Sequence, residues 1–132
     1  MNRLAIVRLY LLGLGAFTLF WWPLSHWFYP DWCHRLLGLE GYDYALVKVI
    51  GTIGIVPVLG MFSAAAEPLR NRDFIIVLLV LCVLMALTCV YLIRGNGFPK
   101  REYLNAALSA DNGILLAVLY PWKAAASTLR CR

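Results

Sequence analysis

The chain has 132 residues, 62% of them hydrophobic and only 14% charged, with a mean hydropathy of +0.73. A soluble domain is about half apolar and a quarter charged, so this composition excludes an ordinary soluble domain and belongs to a membrane protein. The net charge of +5 resides at the ends of apolar runs, where basic residues set topology or meet anionic headgroups. No basic stripe with base-stacking aromatics is present, and nucleic acid is not an expected partner.

A helix needs ~20 apolar residues to cross the hydrocarbon core, and four runs meet that length. The first is Leu4–Trp22. Arg3 and Arg8 beside an apolar core resemble a secretory signal. The bulky residues that follow, Phe20-Trp-Trp-Pro-Leu-Ser-His-Trp-Phe-Tyr29, offer no small-residue cleavage site, so an uncleaved span is expected. The longest connection then runs from Ser25 to Asp43. Trp21, Trp22, Trp27, Phe28, Tyr29 and Trp32 make it an aromatic belt of the kind that settles at headgroup level. Within it, Pro30-Asp31 can open a short helix and Gly38 can close one. Trp32, Leu36 and Leu39 then share a face, predicting an amphipathic helix on the membrane surface. His26, Asp31, Cys33 and His34 are all capable metal ligands. Their spacing matches no zinc or haem pattern, and neither a metal nor a cofactor is expected.

The second run, Tyr44–Ala66, carries Gly51, Gly54, Pro57 and Gly60. Small residues predict close helix packing, and Pro57 predicts a kink. The turn Glu67–Asp73 follows, with Pro68 stopping one helix and Asn71 or Asp73 capping the next. The third run, Phe74–Ile93, holds Cys82 and Cys89 seven residues apart on one face, as small buried thiols. With Cys33 and Cys131 they form no Cys-x-x-Cys pair. A solvated turn, Arg94–Arg101, leads into the fourth run, Tyr103–Trp122. The expected fold is an all-α integral membrane four-helix bundle, one domain over residues 1–132, with a short interfacial helix after the first span.

In such a bundle both termini share a side with the Glu67–Asp73 turn. Arg3, Arg8, Arg70, Arg72, Lys123, Arg130 and Arg132 fall there, against Arg35, Lys48, Arg94, Lys100 and Arg101 opposite. The excess predicts cytoplasmic termini by the positive-inside rule.

The fourth run contains the groups that apolar packing does not explain. Asn105, Ser109 and Asn112, at offsets of four and three, form one polar stripe, and Asp111 lies about 100° round from Asn112. From Ile114 to Trp122 the helix is apolar, which argues against a membrane-crossing proton path and for a half-depth polar pocket. An ionisable group at the depth of Asp111 costs about 3 kcal/mol on insertion scales and usually has a partner. Lys48 is the expected one, a structural or ligand-binding ion pair across a depth difference of roughly 6 Å. Arg8 and Glu67 are a similar candidate pair at the other end.

Several segments resemble an uncharacterised family of small bacterial four-span proteins. They are Arg8-Leu-Tyr-Leu-Leu-Gly-Leu-Gly15, Tyr29-Pro-Asp with Leu36-Leu-Gly-Leu39, Gly51-Thr-Ile-Gly54 and Pro68-Leu-Arg-Asn-Arg72. The layout also resembles the DoxX-like and biphenyl-operon X-type four-span groups. That resemblance implies a bacterial inner-membrane location and an acidic residue in the last helix, where Asp111 stands, and an association with quinone or thiol redox systems for which this chain carries no motif.

No catalytic constellation is visible, so the leading expectation is a non-enzymatic accessory membrane protein. It would bind a lipid-like or hydrophobic molecule through the half-depth polar site, or join a larger membrane complex or homo-oligomer. A small oligomeric transporter and a membrane enzyme using Asp111 as acid or base are the alternatives.

Overall fold

The computed structural model describes residues 2–39 and 41–125, and every described element is helical. In chain order these are α1 (Arg3–Leu19), a π turn (Phe20–Leu24), α2 (Ser25–Phe28), α3 (Pro30–Leu37), α4 (Tyr44–Ile53), α5 (Ile55–Ala66), α6 (Arg72–Gly95), a 3₁₀ turn (Lys100–Glu102) and α7 (Tyr103–Leu119). Three helical stretches are long and apolar enough to cross a membrane: Arg3–Phe28, Tyr44–Ala66 and Arg72–Gly95. The fourth expected span is a helix of 17 residues, ended by the extended backbone at Tyr120 ahead of Pro121. Cys131, Arg130 and Arg132 lie outside the described residues.

The first stretch continues beyond its expected end at Trp22, which corrects the sequence reading. Pro23 has no N–H to give the ladder. The helix accommodates it by widening into the π turn, so that the Ser25 N–H bonds Phe20 O. The Ser25 hydroxyl then donates to Trp21 O at 2.6 Å. Pro57 acts differently. Without its N–H the carbonyl of Ile53 loses its ladder partner, and the helix is interrupted at Gly54, between α4 and α5.

The start of α1, the end of α7 and the Glu67–Asp73 turn gather at one end of the described molecule. Arg3 Nε and Nη2 donate to Leu119 O and Val118 O at 3.1 and 2.6 Å, covering the free carbonyls at the C-terminus of α7. The Tyr120 hydroxyl donates to Pro68 O at 3.0 Å. Glu67 pairs locally with Arg70 at 3.2 Å rather than with Arg8. Asn71 stands at the N-cap of α6 but makes no cap bond. Its amide instead donates to Ser63 O and Glu67 O, closing the end of α5.

α1 packs chiefly along α5 and α6 along α7. The apolar core fills the half nearest that end: Val7, Leu11, Leu14, Met61, Ala64, Ile75, Leu78, Leu116 and Tyr120 are all buried. Outside, Val77, Val80, Val83, Leu84, Leu87 and Tyr91 of α6 are each more than half exposed. An apolar exterior of that extent is suited to lipid, not water.

The glycines mark close approaches. Gly51 meets His26 and Trp27, Gly54 the Trp22 ring, and Gly15 Phe62. A Cβ on Gly60 would overlap the Phe74 ring, whereas one on Gly13 meets nothing within 4 Å. Gly60→Ala is therefore expected to destabilise the bundle by about 1–3 kcal/mol through overpacking. Gly13→Ala should be neutral or stabilising by up to about 1 kcal/mol from helix propensity. Thermal unfolding of both variants in one detergent checks the contrast, and an equal effect of the two would refute it.

Candidate functional site

The half of the molecule away from that core is not filled. A cavity of about 260 Å³ runs from the α3 end to the middle of the long helices. Its deeper wall is apolar, built from Leu14 and Phe17 of α1, Pro57 and Met61 of α5, Leu78, Leu81 and Met85 of α6, and Leu108 of α7. Its outer end is polar, with His26, Cys33, His34, Glu102 and Asn105. Cys82, predicted buried with Cys89, is half-buried in the wall, while Cys89 is buried.

The polar stripe predicted on the last span faces this cavity. Asn105, Ser109 and Asn112 all line it. Asn112 is fixed by its own helix and by α1: its Nδ2 donates to Leu108 O at 2.7 Å, and Tyr10 Oη lies 2.9 Å from its Oδ1. Asn105 is held at both ends of its amide. Trp21 Nε1 donates to Oδ1 at 3.0 Å, and Nδ2 donates to Glu102 Oε2 at 2.7 Å. The Ser109 hydroxyl has no partner among the described residues and is available to a ligand halfway down.

Asp111 and Lys48 are not part of this constellation. Asp111 is exposed on the outer face of α7, in line with the exposed Leu104, Ala107, Ile114 and Val118. Lys48 is exposed on α4, its ammonium 5.5 Å from the centre of the Trp27 ring. Among the described residues the one ion pair is Arg70–Glu67, so the expected Lys48–Asp111 pair does not form. A turn of 100° from Asn112 carries Asp111 out of the bundle, and the long lysine stem follows the aromatic surface outward.

The polar end depends on α3, whose bounds match the expected Pro30 start and Gly38 stop. Gly38 closes it in the left-handed conformation at φ 76° and lies beside Pro99, while Arg101 Nη1 donates to Arg35 O at 3.4 Å. Docked this way, α3 turns Cys33, His34 and Leu37 inward and leaves Trp32 and Leu36 exposed. The helix is thus a roof over the cavity. Glu102 reaches the same space from the N-cap position of α7, where the helix dipole favours a carboxylate, and is only 6% exposed. Sequence spacing did not single out Glu102, because only the docking of α3 on the 3₁₀ turn brings it to the same cavity end as His34. A carboxylate just ahead of a span was the available signal.

Outside the roof, the Tyr42 and Tyr44 hydroxyls both donate to Asp31 Oδ1, the latter at 2.6 Å. Those bonds hold the Asp31 carboxyl below its ordinary range and push the Tyr42 phenol up. Burial raises the Cys33 thiol. The His34 ring contacts Tyr42 on one side and His26 on the other, and its Nδ1 is buried without a partner. Burial first, and His26 second, lower the His34 imidazole below its ordinary value, with Asp31 opposing.

An unfolded histidine titrates near pH 6.5. Between that value and the lower folded one, the unfolded chain binds more protons, so stability rises with pH and is lost as pH falls below about 6.5. The Asp31 contribution disappears only below about pH 4, as its carboxylate protonates. Unfolding temperatures at pH 7.5 and 5.5 should therefore differ, and His34→Gln should shrink the difference. An undiminished slope in that variant would count against this assignment.

Among the described residues no group of three or more His, Cys, Asp or Glu side chains is placed to hold a metal ion. Comparison with protein-family models, with curated proteins and with solved structures finds no match to this chain.

Proposed function

We propose that this protein is a four-span membrane bundle that binds a hydrophobic, lipid-like molecule in the cavity beneath α3, with no chemistry of its own. The observation that carries the reading is the cavity's two-part lining, apolar in its deeper part and polar at the roof. Ligand sites of this kind are mostly apolar, with a few polar groups that fix orientation. Three helices of membrane-spanning length and an apolar exterior support a bilayer setting. With α7 as the fourth span, the roof lies at one membrane interface; the positive-inside excess supports cytoplasmic termini, and the resemblance supports a bacterial inner membrane. This arrangement keeps the four-span layout that the DoxX-like resemblance implies.

The packed core below Asn112 supports binding over transport, because the polar lining stops at mid-depth and does not continue toward the other end. A second reading, docking onto a larger membrane complex or a second copy, draws on Asp111. A carboxylate exposed on an apolar helix face has no partner within the described chain, and within a bilayer such groups usually have one.

Photolabelling tests the binding reading. Dodecanol carrying a mid-chain diazirine, added to the protein in phosphatidylcholine nanodiscs, should label cavity residues such as Leu14, Met61 and Leu108 saturably. Labelling confined to outward residues such as Leu104 and Val118 would overturn it.

A further inference from the structure

The roof of the cavity presents a carboxylate oxygen that no donor among the described residues satisfies. Trp21 Nε1 donates to Asn105 Oδ1, and Asn105 Nδ2 donates to Glu102 Oε2. Glu102 Oε1 accepts nothing from the described residues, and it is not among the polar atoms sealed from solvent. His26 Nδ1 lies 2.8 Å from Trp22 O, a carbonyl that can only accept. Nδ1 therefore carries the proton, and Nε2 of the neutral ring is an acceptor. Among the described residues no lysine or arginine lines the cavity, and Glu102 is the one carboxylate that does.

From this inventory we infer that the cavity selects amphiphiles whose head donates hydrogen bonds and carries no negative charge, a hydroxyl or an ammonium. The inference rests on the binding reading above and names the ligand class for that same cavity. A buried carboxylate with no ion-pair partner among the described residues repels a fatty acid or a phosphate head, which would also leave Glu102 Oε1 unpaired. A donor head satisfies that oxygen at the depth where the apolar wall receives the chain.

The test is competition against the diazirine dodecanol in phosphatidylcholine nanodiscs, with dodecanol, dodecylamine and dodecanoate at equal membrane-partitioned concentrations. The alcohol, the amine or both should displace the label at least tenfold more effectively than dodecanoate. In Glu102→Gln the gap should narrow to less than threefold. Dodecanoate competing as well as the other two in the native protein overturns the inference, as does an undiminished gap in a folded Glu102→Gln variant. Should that variant not fold, the ranking in the native protein decides alone. Failure of the tracer to label the cavity at all is a different result: it overturns the binding reading, and this inference with it.

Discussion

Ser109→Trp is expected to abolish saturable labelling of the cavity by the diazirine dodecanol while leaving the bundle folded. Ser109 lines the cavity midway along α7, half-buried, with a hydroxyl that no described residue engages. Replacing it therefore breaks no internal hydrogen bond. An indole at that position takes the room of roughly three or four methylenes, each worth ~0.8 kcal/mol on burial, which is about a hundredfold in affinity. The displaced volume is large against a cavity of about 260 Å³. Ser109→Ala supplies the contrast, since it enlarges the site slightly and should bind within about threefold of the native protein. Labelling that survives the tryptophan at native affinity would place the binding elsewhere, along the α1–α7 groove by Gly13 or on the outer surface.

What made Ser109 legible in the sequence was its register. Asn105, Ser109 and Asn112 recur at helical spacing, so one rotation of α7 turns all three inward, and the apolar run beyond them marks the half that packs solid. The extents of the second and third helical stretches were legible for the related reason that bilayer-length apolar runs leave few alternatives. The fourth run, expected to reach Trp122, instead ends as a helix at Leu119. The length of the first helix was not legible, because a proline such as Pro23 ordinarily breaks the ladder and only the π turn shows how the helix passes it. The roof was legible as a helix but not as a roof. Periodicity gives the faces of α3, yet which face is covered depends on Pro99 and Arg101, more than sixty residues away in sequence. Lys48 and Asp111 failed for a shared reason: each stands one helical step from an inward-facing neighbour, Val47 and Asn112, and proximity in sequence does not fix direction.

That outward direction gives Asp111 its own expected result. In the four-span arrangement α7 must cross the bilayer with 17 helical residues and a carboxylate exposed in their midst. On insertion scales an aspartate at a helix centre costs about 3 kcal/mol and a leucine contributes about −0.5. Asp111→Leu should therefore favour membrane insertion of α7 by roughly 3 kcal/mol, above a hundredfold in the insertion equilibrium, as read by glycosylation mapping of the C-terminal side. Because Asp111 does not line the cavity, the same variant should keep dodecanol labelling within about twofold. Asn112→Leu is the matched control on the neighbouring residue: it removes the side-chain acceptor of Tyr10 and the wall's deepest polar group, and should weaken labelling. If Asp111→Leu instead eliminated labelling, the carboxylate would have to act at the cavity, and the outward placement of that face of α7 would be wrong. If it left labelling intact but dissolved a complex seen by cross-linking, Asp111 would be the group that meets a second membrane protein, and its insertion cost would be offset at that interface.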